Sequence, residues 1–199
     1  MQQEFEPIDL APQSAKNRKI TVAVIVVLLV IILAITCALL VKHYVVSTFI
    51  VDGVSMYPTL DGGAGAVDDD SRTNGDVIYL NKLAKINRGD IVVFTPEDGS
   101  FSEKALVKRV IAVAGDHLEI TQNQVFLNGK LLDEPYIREP MQNLPDFSLD
   151  IVIEDGYIFC MGDNRNNSTD SRVFGPVSLD VVVGKCFLIK SKSGKLRFI

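Results

Sequence analysis

The pattern of apolar and polar positions divides the chain in two. Ile20 to Val41 is a run of 22 residues without a charge. At about 1.5 Å rise per residue, a helix of that length crosses the roughly 30 Å hydrocarbon core of a bilayer. A buried helix of a soluble domain is seldom so uniformly apolar. The apolar stretch of a cleavable signal peptide is shorter, about 7–15 residues, although Ala34, Thr36 and Ala38 supply the small residues such a peptide needs. Beyond Lys42 the pattern changes. Val45–Val51, Asp76–Leu80, Asp90–Thr95, Leu106–Val113, Leu118–Thr121, Gln124–Leu127, Tyr157–Met161 and Val181–Lys190 are short runs bounded by turn residues, and they read as strands. Asn128-Gly129 separates Val125-Phe126-Leu127 from Leu131-Leu132. That is the strongest hairpin signal in the chain, because both central residues tolerate positive φ. Gly184 interrupts an apolar run and predicts a bulge. No amphipathic helix is legible after residue 43. Asp61–Gly75, rich in Gly and Asp, and Glu139–Asp150, with two prolines, read as loops.

The expected organisation is a tail over 1–19, a transmembrane anchor over 20–41 and a mainly β domain over 42–199. Lys16, Arg18 and Lys19 precede the span, only Lys42 follows closely, and the next basic residue is Arg72. The positive-inside rule then predicts a single-pass plasma-membrane protein with a disordered cytoplasmic tail and an extracytoplasmic β domain.

Composition narrows the function classes. Hydrophobic residues make up 47% and charged residues 23% of the 199, which excludes a disordered chain. Residues 43–199 carry 16 basic and 22 acidic side chains, a net charge of −6. That charge predicts no nucleic-acid partner and no whole-domain attraction to anionic lipid. Three cysteines and two histidines, without CxxC or HExxH, predict no metal site. An oxidising location permits a Cys160–Cys186 disulfide, and two reduced buried thiols fit the spacing equally well. Cys37, inside the span, reads as an apolar filler.

Candidate chemistry is concentrated in three places. Ser55 opens Ser55-Met56-Tyr57-Pro58-Thr59-Leu60, about 13 residues beyond the span. It is a candidate nucleophile or an ordinary serine of a proline turn. Lys108-Arg109 lies inside an apolar strand-like run. Alternation puts Lys108 with Val110 and Ala112 on one face, and Arg109 with Val107 and Ile111 on the other, so the two cations cannot share one solvent. An edge strand with a protective lysine is one explanation. The other is a desolvated lysine, whose pKa falls from about 10.4 toward neutrality until the free amine can take a proton from a hydroxyl. The third place is Gly162-Asp163-Asn164-Arg165-Asn166-Asn167-Ser168-Thr169-Asp170-Ser171-Arg172, a dense polar stretch directly after an apolar strand. It lacks the ligand spacing of an EF-hand and reads as a surface turn or a positioning network.

Five segments, in order, resemble the bacterial type I signal peptidases, the membrane-bound Ser/Lys endopeptidases of the S26 type. They are Gly53 to Leu60, Arg88 to Phe94, Lys108-Arg109-Val110-Ile111 with Gly115-Asp116, the hairpin Asn128 to Tyr136, and Met161 to Arg172 with Gly175. The resemblance spans nearly the whole β domain and the preceding anchor. It implies an antiparallel, barrel-like β domain, and it gives roles to individual residues. Ser55 is the implied nucleophile, and Lys108 the general base and later the acid. Ser168 orients the lysine through a hydrogen bond. Asp163 pairs with Arg109 and Asp170 with Arg172, while Met56 packs by the lysine and excludes water. The implied substrates are secretory preproteins, bound as an added strand with small residues at the first and third positions before the cut. The lipid bilayer is the implied second partner, and no cofactor or metal is implied. The short single-anchor build resembles Gram-positive members.

Three departures bear on this reading. Ala112 and Ala114 stand where many members have Gly and Pro. Gly53 stands where some members carry a serine hydroxyl for the oxyanion, which leaves the Ser55 backbone N–H as the expected donor. The Asp61–Gly75 loop is longer than usual, and Ala64-Gly65-Ala66 within it has the small-x-small pattern of a self-cleavage site after Ala66. A self-cleaving repressor-type Ser/Lys protease shares the dyad but not the anchor. A sortase-like transpeptidase would need His117, Cys160 and Arg172 as its active set. A non-enzymatic tethered β domain would have no need of Ser55, Lys108 and Ser168 together.

Overall fold

The computed structural model describes residues 11–63, 75–96, 105–142 and 147–199, without the side chains of residues 11–16 and 43. Ala64-Gly65-Ala66, with the cut expected after Ala66, lies outside the described residues. The chain forms two units, divided between Tyr44 and Val45.

The first unit is helix α1 (Ala11–Tyr44). It starts within the tail that was expected to be disordered, so 11–19 extend the helix. Pro12 is tolerated there because the first turn needs no N–H from it. Asn17–Lys42 is long and apolar enough to cross a membrane, and its apolar side chains are exposed on every side. The hydroxyls of Thr21 and Thr36 donate to the carbonyls of Asn17 and Ile32, at 3.0 and 2.8 Å. These bonds satisfy both groups inside the helix, as a hydrocarbon solvent requires.

The second unit is a β domain. Its strands are β1 (Val46–Ile50), β2 (Val77–Asn81), β3 (Ile91–Phe94), β4 (Leu106–Val113), β5 (His117–Thr121), β6 (Gln124–Leu127), β7 (Lys130–Leu131), β8 (Leu149–Val152), β9 (Tyr157–Met161), β10 (Val177–Ser178), β11 (Val182–Lys190) and β12 (Leu196–Phe198). One turn of helix, α2 (Ser171–Phe174), lies between β9 and β10. Every pairing is antiparallel. The large sheet runs β1-β2-β11-β3-β4-β9-β10, with β12 added to β11, and the small sheet runs β7-β6-β5-β8. The β6–β7 turn is the expected one: Asn128 and Gly129 have φ of 53° and 75°. The register of β11 against β3 shifts between Val182 and Gly184, the predicted bulge. β8 begins at Leu149, inside the stretch read as a loop.

The two sheets share one apolar layer. Leu118, Ile120 and Val125 of the small sheet pack with Ile111, Ala112, Phe159 and Met161 of β4 and β9. A second cluster joins Met56 and Leu60 to Ile78, Leu80, Ile91, Val93 and Ile189, with Val107 against it. β4 therefore lies in the interior of the large sheet, between β3 and β9. That position excludes the edge-strand explanation of Lys108. Cys160 and Cys186 are both buried free thiols. They lie on β9 and β11, with β3 and β4 between them. Three inter-strand spacings of about 4.8 Å exceed the reach of a disulfide, about 7 Å between Cα atoms.

Candidate active site

β4 builds the first half of the site. Its register against β3 pairs Val92 with Lys108, and against β9 pairs Val110 with Cys160. Lys108 therefore stands on a face lined by Val92, Val110 and Cys160, all 0% exposed, and is itself 3% exposed. Desolvation lowers its pKa from 10.5 to about 8, against the opposing pull of the Asp170 carboxylate. Its ammonium donates to Ser55 Oγ at 2.8 Å. When the amine is neutral, the same contact works in reverse and the hydroxyl donates to the lone pair. Ser55 is half-buried, whereas its partner Lys108 is buried.

The segment after β1 carries Ser55 into place. Tyr57 N–H donates to the Val54 carbonyl at 3.1 Å and Leu60 N–H to the Met56 carbonyl at 2.9 Å, which closes a compact turn. Met56, 1% exposed, plugs that turn into the core cluster that includes Val107, the neighbour of Lys108.

The polar stretch after β9 turns most of its charged side chains into the interior, while Asn166, Asn167 and Thr169 stay exposed. Asp163, Asn164, Arg165, Asp170 and Ser171 are all 2% exposed or less. Asp163 accepts from Arg109 Nε and Nη2 at 2.8 and 2.6 Å, and its carbonyl accepts from Arg138 N–H at 3.0 Å. Asp170 caps α2, takes two bonds of 2.8 Å from the Arg172 guanidinium, and accepts from Gly162 N–H at 2.9 Å. Both expected ion pairs are thus formed. Sequence reasoning missed three members of the network. Glu134 binds Arg165 in a two-point contact of 2.8 and 2.5 Å. The Tyr136 ring lies 4.1 Å beneath the Arg109 guanidinium. Asn164 donates to both the Val54 and the Ser55 carbonyls. Glu134 and Tyr136 stood in the hairpin segment and Asn164 in the polar one, but nothing in their residue types announced these partners.

Ser168 corrects an expectation. Its Oγ is buried and makes no hydrogen bond among the described residues, Lys108 included, so the lysine-orienting bond is not formed here. Lys108 is engaged by Ser55 instead. Ser168 Oγ does share a crowded point with the Ser55 carbonyl. A Cβ on Gly162 would meet Ser168 Oγ and would lie 2.5 Å from the Ser55 oxygen. Only glycine permits that approach.

The residues of the sortase-like alternative do not form a site. His117 Nε2 bonds Asp150 at 2.5 Å on the small sheet. Cys160 is 0% exposed, and burial pushes its thiol up, away from the reactive thiolate. Among the described residues no cluster of His, Cys, Asp and Glu is arranged to hold a metal. What the geometry offers is a hydroxyl and a desolvated amine in contact, backed by a largely buried, ion-paired polar loop. That is the equipment for nucleophilic acyl transfer.

Comparison with known proteins shows the family. The family described as signal peptidase, peptidase S26, matches residues 22–190. Signal peptidase I S of Bacillus subtilis (strain 168) is 34% identical over 154 residues, 71% of this chain and 74% of that protein. Signal peptidase I of Bacillus caldolyticus is 36% identical over 159 residues, 72% of this chain and 79% of that protein. A crystal structure of a signal peptidase I from Enterococcus faecalis V583 superposes with a TM-score of 0.42 at 27% identity, covering 51% of this chain and 97% of that one.

Proposed function

The chain belongs to the signal peptidases of peptidase family S26, and from that premise we propose that Ser55 and Lys108 are its catalytic pair. The protein is a membrane-anchored serine endopeptidase of the signal peptidase I type, which removes N-terminal signal peptides from secreted preproteins through a Ser/Lys dyad and an acyl-enzyme. One observation carries the assignment: Lys108 Nζ and Ser55 Oγ are 2.8 Å apart, with the lysine pKa at about 8.

The steps follow from that contact. Neutral Lys108 takes the Ser55 hydroxyl proton as Oγ attacks the scissile carbonyl carbon. The carbonyl oxygen becomes an oxyanion, held by the Ser55 N–H. The Lys108 ammonium then protonates the leaving amine as the C–N bond breaks, and the signal peptide stays on Ser55 as an ester. Lys108 next takes a proton from water, whose oxygen attacks the ester, and returns that proton to Ser55 Oγ. Once Oγ is acylated it is no longer the lysine's hydroxyl partner. The spare Ser168 hydroxyl is then the lysine's orienting partner. Asp163 with Arg109, and Asp170 with Arg172, hold the loop behind the pair, and Met56 keeps water from beneath it.

The preprotein adds its cleavage segment as an extended strand beside the large sheet, whose first strand, β1, leads into Ser55. Small side chains at the first and third positions before the cut enter shallow pockets. The chain is single-pass, with residues 1–19 cytoplasmic, 20–41 in the bilayer and 42–199 outside. The basic flank of Lys16, Arg18 and Lys19 supports that orientation. The bilayer is a partner and nucleic acid is not.

The test is cleavage of a preprotein with an Ala-x-Ala site by the full chain in detergent, read by intact mass. The expected product begins directly after the second alanine and is missing from the Ser55→Ala reaction. The same product from Ser55→Ala would rule out Ser55 as nucleophile.

A further inference from the structure

We propose that Asn164 is a positioning residue that aims the Ser55 N–H at the oxyanion. The inference rests on the reading of Ser55 as nucleophile. Its ground is that one residue holds both peptide groups that flank Ser55. Asn164 Nδ2 donates to the Val54 carbonyl at 3.0 Å, and Asn164 N–H donates to the Ser55 carbonyl at 3.0 Å. A carbonyl only accepts, so the end of the side-chain amide that faces Val54 is its NH2 group.

The Val54 carbonyl and the Ser55 N–H belong to one planar trans peptide and point in opposite directions. Anchoring the carbonyl therefore sets the direction of the N–H. Tyr57 N–H anchors the same oxygen from within the turn, at 3.1 Å. The Ser55 N–H itself is taken by no acceptor among the described residues. A donor that is aimed but unspent is what a developing oxyanion needs. Gly53 makes the aim more consequential, since it supplies no side-chain donor.

Asn164 is itself held from both sides. Asp163 is bound to Arg109 and Arg165 to Glu134, while the Asn164 carbonyl accepts from Asn167 N–H at 2.9 Å. The other end of the amide argues against a purely stabilising role. Asn164 is 1% exposed and its Oδ1 is buried without a partner. An unpaired acceptor in the interior costs stability. Within the described residues, the Val54 carbonyl is the amide's only hydrogen-bond partner.

The test uses the full chain in detergent and Asn164→Leu, which keeps the side-chain size and deletes both amide ends. Removing an oxyanion donor outright costs about 10²–10³ in kcat, and losing its aim is expected to cost about 10–100-fold. KM is expected to stay within about twofold, the melting temperature to hold or rise, and the pH limb set by Lys108 to stay in place. A peptide aldehyde, whose adduct with Ser55 Oγ carries the oxyanion, should bind more weakly by about the factor lost in kcat. A non-cleavable substrate peptide should bind as before. Asn164→Ala is measured alongside in case leucine overpacks. An unchanged kcat in a folded variant would overturn the inference and leave the Ser55 assignment intact. Equal losses for aldehyde and peptide, or failure of both variants to fold, would also overturn it by giving Asn164 a structural role. Retained activity in Ser55→Ala, run in parallel, would instead strike the underlying assignment.

Discussion

Lys108 and Arg109, neighbours in β4, are both withdrawn from water, and among the described residues only Arg109 is bonded to a carboxylate. Asp163 pairs with Arg109 through two hydrogen bonds, whereas among the described residues Lys108 meets only the hydroxyl of Ser55. The alternation of a strand puts the two cations on opposite faces, one beside a carboxylate and the other against apolar side chains. The lysine on the apolar face, desolvated by burial, gives up its proton near pH 8.

The lysine weakens the fold, and its cost depends on pH. The folded-state pKa of about 8 lies below the ordinary value of 10.5. Below pH 8 the side chain is charged in both states, and the folded state bears the full desolvation penalty, on the order of 3 kcal/mol. As pH rises from 8 to 10.5 the unfolded chain binds more protons than the folded one, so stability rises with pH. Lys108→Met should therefore raise the melting temperature at pH 7, and the advantage should vanish by about pH 10.5. Thermal denaturation of both proteins across that range checks it. A constant difference at every pH would contradict the linkage.

Deleting the carboxylate under Arg109 should be far more damaging. Asp163 is 0% exposed and the Arg109 side chain is 12% exposed, so Asp163→Ala strands a largely buried charge. Such losses run to about 3–5 kcal/mol. At about 2–4 °C per kcal/mol, the melting temperature should fall by roughly 10 °C. Asp163→Asn, which keeps one acceptor oxygen, should fall by less. A drop below about 2 °C for Asp163→Ala would show that the pair carries little of the loop's rigidity.

Ser168 separates a resting role from a role in turnover. Its hydroxyl is unbonded, so Ser168→Ala should leave the melting temperature unchanged or slightly higher. If the hydroxyl receives Lys108 after acylation, the variant should accumulate acyl-enzyme. Rapid-quench mass spectrometry should find a larger fraction of chain carrying the signal-peptide ester than in wild type. Equal acyl-enzyme levels would remove Ser168 from the reaction.

The strands were legible where periodicity and turn chemistry agreed. β4, β6 and β9 have the bounds read from sequence; β6 lies between two asparagines and β9 between two glycines, which stop each run sharply. The Asn128-Gly129 turn was legible because two successive residues at positive φ demand that chemistry. β8, only Leu149–Val152, was not, since it takes its identity from pairing with β5. β12 was not either, being exposed along its length. The polar network was half legible. Asp163 and Asp170 could be named from the resemblance, but Asn164 and Glu134 acquire meaning only when their loops close on Ser55 and Arg165. Sequence alone does not reveal that the Asp and Arg side chains of a polar run are buried and paired in the interior.

The central claim is that a desolvated Lys108 is the base for Ser55. Its most direct test is the pH dependence of kcat/KM between pH 6 and 10, on an Ala-x-Ala substrate in detergent. Lys108→Ala is run beside the wild-type chain. The account predicts one rising limb with an apparent pKa near 8, so that about one molecule in ten is competent at pH 7. It also predicts a loss of at least about 10³-fold in Lys108→Ala. A limb that rises only near the ordinary lysine pKa of 10.5, or wild-type rates in Lys108→Ala, would contradict it.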